Sequence, residues 1–232
     1  SDYIRYLRQH GLENIEIGQT KEQIADVHSK NPIDWYVYSS AVAIENPDAP
    51  ELKFCQENGI KTSKRDELLN HIIAEKKLKL IAVAGTHGKT TTTAMIIWLF
   101  KQLGIPVSYS VGAKISFGEM GEFDPKSEYF VLEADEYDRN FLSFQPFVSI
   151  ISGVDYDHPD IYPTREDYLA AFKEFGSQSG QIFGHAEDLQ KIGLSAKPET
   201  VSAGDFSLVG EVNRKNAQVV VEALAHLTGK NS

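Results

Sequence analysis

Cysteine is nearly missing from these 232 residues: Cys55 stands alone, so no intramolecular disulfide can form and a reducing, cytoplasmic setting is expected. Long apolar runs are missing as well. Stretches such as Ala94 to Phe100 fall far short of the ~20 residues that a membrane-spanning helix needs, so no membrane insertion is expected. Positive charge is in deficit, with 23 Lys and Arg against 33 Asp and Glu and a formal net charge of -10, so nucleic acid is not an expected partner. Any anion site must be local. No signal-peptide pattern opens the chain at Ser1, and no internal repeat, low-complexity segment or G-x-G-x-x-G fingerprint occurs in it. The length suits one or two domains with a sizeable core.

Helical and strand patterns alternate along the chain. Tyr3 to His10 reads as a helix, Asn14 to Ile17 as a short strand, Trp35 to Ser39 as a firmer strand, and Pro50 to Asn58 as a helix stopped by Gly59. Asp66 to Lys77 reads as a further helix with Leu68, Leu69, Ile72 and Ile73 on one side, and a domain boundary is expected at its charged end. Tyr129 to Leu132 and Phe147 to Ile151 are apolar strands, a helix follows Thr164, Gln181 to Gly184 is a weak strand, and Val212 to Leu227 closes as a helix.

The most informative segment is Leu78 to Leu103, which reads as a buried strand, a glycine-bracketed turn and a helix. The turn is Gly85-Thr86-His87-Gly88-Lys89-Thr90, followed by Thr91. A strand feeding a helix N-terminus aims several backbone N–H groups at one spot where the helix dipole favours negative charge. Lys89 adds a mobile cation for outer phosphates, and the Thr90 hydroxyl is placed to ligate Mg²⁺. Two residues rather than four separate Gly85 from Gly88, with Val83 in the place of the first glycine of the general pattern. On that pattern alone, a plain strand-to-helix turn with an exposed lysine remains open.

Two later strands lead into acidic loops. Glu133-Ala134-Asp135-Glu136-Tyr137-Asp138 follows the first, and Asp155-Tyr156-Asp157-His158-Pro159-Asp160 the second. Strands ending at Ala84, Leu132 and Ile151 would set their loops along one carboxyl edge of a parallel sheet, where ligands of open α/β folds collect. Carboxylates there are hard oxygen ligands suited to Mg²⁺. Taken singly, each loop could equally be a solvated surface turn.

The string AGTHGKTTTT resembles the nucleotide loop of the Mur ligases, and EADEYDRNF and D-x-D-H-x-D-x-Y are similar to that family's two metal-binding motifs. The resemblance implies that Gly85, Thr86, His87, Gly88, Lys89, Thr90 and Thr91 bind nucleotide, that Thr90, Glu133 and His158 hold magnesium, and that Lys89, Glu133 and His158 are catalytic. Tyr137 stands where serine is commoner. NRKNA is similar to the HNxxNA motif, which places Asn213 and Asn216 at the adenine, with Val212 in place of the histidine. The stretch from Val37 through Ser39 and Ser40 to Val42, and Thr62 to Arg65, are similar to segments lining the UDP-sugar cleft, and Ser1-Asp2 to a pair ending a strand of that domain.

The fold so implied is α/β: an incomplete N-terminal doubly wound (Rossmann-like) domain over residues 1–77, which binds the UDP sugar, and a P-loop-type central ATPase domain with a mostly parallel sheet over 78–232. The cofactors implied are ATP and Mg²⁺. The histidine-bearing loop is most similar to the branch that joins L-alanine to UDP-N-acetylmuramate through an acyl phosphate. The muropeptide-recycling branch is the alternative, as is a nucleotide- or UDP-sugar-binding module without turnover. The family's closing C-terminal domain has no counterpart in the sequence, so the expectation is that this chain alone lacks full ligase turnover.

Overall fold

The computed structural model describes residues 2–39, 42, 46, 48–195 and 201–229. Ser1, Ser40 and Ala41, named above for the UDP-sugar cleft, lie outside them. The chain forms two compact units, residues 1–68 and 69–232.

In the first unit, helices α1 (Asp2–Gln9), α2 (Lys21–Lys30) and α3 (Pro50–Glu57) accompany strands β1 (Trp35–Tyr38) and β2 (Lys61–Lys64), which pair in parallel. Its small core gathers Ile24, Phe54 and Cys55. The strand expected at Asn14 to Ile17 does not form. Among the described residues no strand pairs with it, and Ile17 is exposed. Among the described residues the sheet of this unit is a two-stranded parallel pair. Strand β2 has no apolar residue to announce it; it is anchored by Ser63, whose hydroxyl accepts the Trp35 indole N–H at 2.8 Å.

Helix α4 (Arg65–Glu75) leads into the second unit, ending where Lys77 takes the left-handed conformation at φ 55°. There β3 (Lys79–Ala84), β4 (Ser108–Ser110), β5 (Gly121–Glu122), β6 (Tyr129–Glu133), β7 (Val148–Ile151) and β8 (Gln181–Gly184) form one sheet in the order β5-β4-β6-β3-β7-β8. Every neighbouring pair is parallel except β4 with β5. After the exposed Lys79, central β3 reads as an apolar run from Leu80 to Ala84 because helices cover both its faces. Leu80, Ala82 and Ala84 point into a core with Tyr168, Phe172 and Phe175 of α6 (Arg165–Ser177). Ile81 and Val83 point into another, with Ile96, Ile97 and Phe100 of α5 (Lys89–Gln102) and Val219 and Val220 of α8 (Glu211–Thr228). The short α7 (Ala186–Lys191) lies between β8 and α8 in the chain.

Helix α6 starts at a capping box that the T-x-x-D spacing encodes. The Thr164 hydroxyl accepts the Asp167 N–H at 3.1 Å, and the Asp167 carboxylate accepts the Thr164 N–H at 3.2 Å. Thr164→Ala is expected to cost about 1 kcal/mol, a fall of roughly 2–4 °C in melting temperature. An unchanged melting curve would show that the cap contributes nothing.

Candidate phosphate-loop site

Strands β6, β3 and β7 lie side by side and end at the same edge, so the three loops that follow them meet. The central loop is shaped from outside. Gly85 takes φ 147°, and a β-carbon there would strike the Ser152 hydroxyl and come within 3.0 Å of the Gly153 carbonyl. Ser152 donates its hydroxyl to the His87 carbonyl. Thr86 donates its backbone N–H to Gly153 O at 3.0 Å. Its hydroxyl donates to Asp155 O at 2.7 Å, accepts from Asp155 N at 2.9 Å and lies 2.7 Å from the Tyr168 hydroxyl. Thr86 is thus a buried tie between two loops, its polar groups already engaged. His87 is exposed.

Gly88 caps α5 in the left-handed conformation at φ 78°, with no side chain over the helix end. The first turn is thus left without a side-chain cap, the kind of helix end at which backbone N–H groups can receive an anion. Thr91 is exposed on that turn and lines an apolar cavity of about 530 Å³ between α5 and α8, with Trp98, Phe206 and Val220.

Lys89 Nζ donates to Gly85 O at 2.8 Å and to Glu136 Oε1 at 3.0 Å, and lies 2.8 Å from Glu136 Oε2. Glu136 has no solvent exposure, and burial pushes its carboxyl above the ordinary range while Lys89 pulls it down. Its Oε1 lies 3.6 Å from His158 Nε2. His158 takes φ 56°, and its ring meets Tyr137 edge-on at 5.1 Å. The Tyr162 hydroxyl donates to the Glu136 backbone carbonyl at 2.6 Å.

Thr90 donates its hydroxyl to Glu133 Oε1 at 2.7 Å, while Glu133 Oε2 accepts the Gly112 N–H at 2.6 Å. Glycine suits position 112, since an added β-carbon would sit 3.1 Å from both Glu133 oxygens. The predicted residues thus fall into two groups: Thr90 with Glu133, and Lys89 with His158 through Glu136. Among the described residues no three His, Cys, Asp or Glu side chains gather as a metal-binding cluster. Magnesium does not require one. It keeps several waters and takes one or two carboxylates plus phosphate oxygens, so the Thr90 hydroxyl beside the Glu133 carboxylate fits its donor set.

Asn216 is 1% exposed, with its amide near Gly88 and its Oδ1 3.4 Å from His185 Nε2. Asn213 instead donates to Val209 O at 2.9 Å, and Val212 is exposed. Ser39 follows β1 in the first unit and is exposed. Sequence reasoning passed over Glu136, Ser152, Gly112 and Tyr168. The first stands inside a motif string, three residues past Glu133. The others act only through contacts across the sheet edge, which no local pattern marks.

A parallel sheet with a glycine-bracketed loop, a lysine and two facing carboxylates at its carboxyl edge defines an α/β domain with the architecture of phosphate-loop proteins. Residues 83–204, more than half of the chain, match the Mur ligase middle domain. The chain belongs to the Mur ligase family. It is 38% identical over 159 residues to the UDP-N-acetylmuramate–L-alanine ligase of Salinispora arenicola (strain CNS-205), an overlap of 68% of this chain and 30% of that protein. The UDP-N-acetylmuramate-alanine ligase of Thermotoga maritima superposes with a TM-score of 0.68 at 26% identity, covering 84% of this chain and 43% of that one. The UDP-N-acetylmuramate:L-alanyl-gamma-D-glutamyl-meso-diaminopimelate ligase of Neisseria meningitides shares the fold, with a TM-score of 0.77 at 22% identity over 96% of this chain and 82% of that one. The chain spans 30% of the length of the first of these curated relatives and 45% of one from Clostridium acetobutylicum. No helix among the described residues is long and apolar enough to cross a membrane.

Proposed function

We propose that the chain binds ATP with Mg²⁺ at the Gly85 to Thr90 loop and serves an amide-forming ligation that joins L-alanine to UDP-N-acetylmuramate. The observation that carries the reading is the convergence of Lys89, Thr90, Glu133 and His158 at the carboxyl edge of three adjacent parallel strands. In this reading Lys89 and the first-turn N–H groups of α5 hold phosphates, Thr90 and Glu133 hold one magnesium ion, and His158 serves a second. Asn216, buried beside the loop, and Asn213 at the start of α8 are assigned to the adenine. Residues 78–232 are the ATP-binding part, and residues 1–77, with Ser39, are assigned to the UDP sugar.

A carboxylate is a poor electrophile, and the bound nucleotide supplies the phosphoryl group that activates it for attack by the amine. This chain's residues position the partners and offset charge between anions that repel one another. The choice of L-alanine follows the names of relatives at 31–41% identity. The location assigned is the cytoplasm.

Calorimetric titration with ATP and Mg²⁺ tests the binding, and a trace without heat or saturation would refute it. Mass spectrometry after incubation with UDP-N-acetylmuramate, ATP, Mg²⁺ and either L-alanine or the recycling tripeptide tests the chemistry. Product from the tripeptide alone would move the chain to the recycling branch, and nucleotide binding with neither product is the outcome expected if this chain alone lacks full turnover.

A further inference from the structure

One charged group at this edge has no part in the ligand set just described. Glu136 is wholly buried, its main chain is held by the Tyr162 hydroxyl at 2.6 Å, and both its carboxylate oxygens face the Lys89 ammonium at 2.8 and 3.0 Å. The lysine of the loop is therefore neutralised before any ligand arrives. The next carboxylate along, Glu133, occupies the Thr90 hydroxyl at 2.7 Å and adds a further negative charge. A polyphosphate approaching alone meets a loop whose lysine is already paired.

We propose that Glu136, by cancelling the charge of Lys89, makes this loop select a nucleotide that carries its divalent cation over the free nucleotide. The inference rests on the nucleotide reading above. Glu136 acts through Lys89 and is a specificity-determining, positioning residue. Its second contact, to His158 Nε2 at 3.6 Å, extends the same negative charge toward the loop after β7. Holding the lysine in place is a separate matter, because Gly85 O also accepts from it at 2.8 Å. Glu136→Gln keeps an oxygen that can accept from Lys89 and removes only the charge, so it isolates the electrostatic effect.

The test is calorimetric titration of ATP at pH 8, once in EDTA and once in excess Mg²⁺, with wild type and Glu136→Gln. The metal-free affinity of the Gln variant is expected to rise about tenfold or more, since like charges a few ångströms apart in a partly dry site repel at least that strongly. Affinity in Mg²⁺ should change much less, so the advantage conferred by the metal shrinks by about the same factor. Glu136→Met, uncharged and of similar length, carries the test if the Gln variant does not fold. Glu136→Asp keeps the charge and should keep the wild-type metal dependence. An unchanged or weaker metal-free affinity in a folded uncharged variant overturns the proposal. So does an Asp variant that loses metal dependence as the Gln variant does, because geometry rather than charge would then be responsible. Wild type that fails to bind ATP even with Mg²⁺ refutes the nucleotide reading itself, which separates the two failures.

Discussion

Lys89→Ala is expected to lower the affinity for ATP and Mg²⁺ by at least about a hundredfold, because a unit charge ~4 Å from a phosphate is worth up to about 4 kcal/mol at an effective dielectric of 20. The substitution also leaves the fully buried Glu136 carboxylate without its cation. Removing one partner of a buried pair costs about 3–5 kcal/mol when the remaining group must stay charged. The carboxyl can escape part of that cost by taking up a proton. Its folded-state value is already raised by burial, and without Lys89 the opposing pull is gone. A raised carboxyl binds its proton more tightly folded than unfolded, so its contribution to stability falls as pH rises through the window above the ordinary carboxylate value. The stability deficit of Lys89→Ala should therefore be smallest in acid and grow toward neutral pH. Calorimetry gives the affinity, and thermal melts between pH 4 and 8 give the deficit. Equal affinity would end the role of Lys89 at phosphate, and a deficit independent of pH would end the account of Glu136.

Gly85→Ala is the second large effect. An alanine there must keep φ near 147° or move, and its β-carbon would meet the Gly153 carbonyl at 3.0 Å and the Gly153 nitrogen at 3.1 Å. Those neighbours are backbone of the loop after β7 and cannot swing aside. Conformational strain of about 1–3 kcal/mol adds to overpacking of about 1–3 kcal/mol, so the melting temperature should fall by roughly 10 °C. Gly104→Ala is the control. Its φ of 66° is also left-handed, but nothing lies within 4 Å of the added carbon, so it should cost only about 1 kcal/mol. Equal losses for the two substitutions would show that the approach of Ser152 and Gly153 does not constrain the loop. Nucleotide binding should fail in the first variant and persist in the second.

The second unit was legible where one residue pattern forces one outcome. Leu80 to Ala84 is a short apolar run stopped by Gly85, which reads as a strand covered on both faces, and Gly85 and Gly88 punctuate its passage into α5, so this edge and its loops were readable from spacing. The N-terminal unit was less legible because its elements are short and mostly polar. Strand β2, Lys-Thr-Ser-Lys, exists through its pairing with Trp35 to Tyr38 and through the Ser63–Trp35 bond. Helix α2 buries only Ile24, although the Thr20 and Gln23 capping box marks its start in the sequence. At the site, the motif strings identified Lys89, Thr90, Glu133 and His158 as a set. They did not divide that set into the Thr90–Glu133 contact and the Lys89–Glu136–His158 chain, because Glu133 and Glu136 follow the same strand β6 and only the three-dimensional path of that loop decides which carboxylate meets which partner.

The bonds of Thr86 to Gly153, Asp155 and Tyr168 bear on how this loop could be moved between proteins. The two residues between its glycines are braced from outside, by the loop after β7 and by Tyr168 of α6. Grafted alone onto another strand-turn-helix, Gly85 to Thr90 would lose the template that bends it. The portable unit is the turn together with Ser152 to Asp155 and the tyrosine behind them, a discontinuous cassette that a search for contiguous motifs cannot recover.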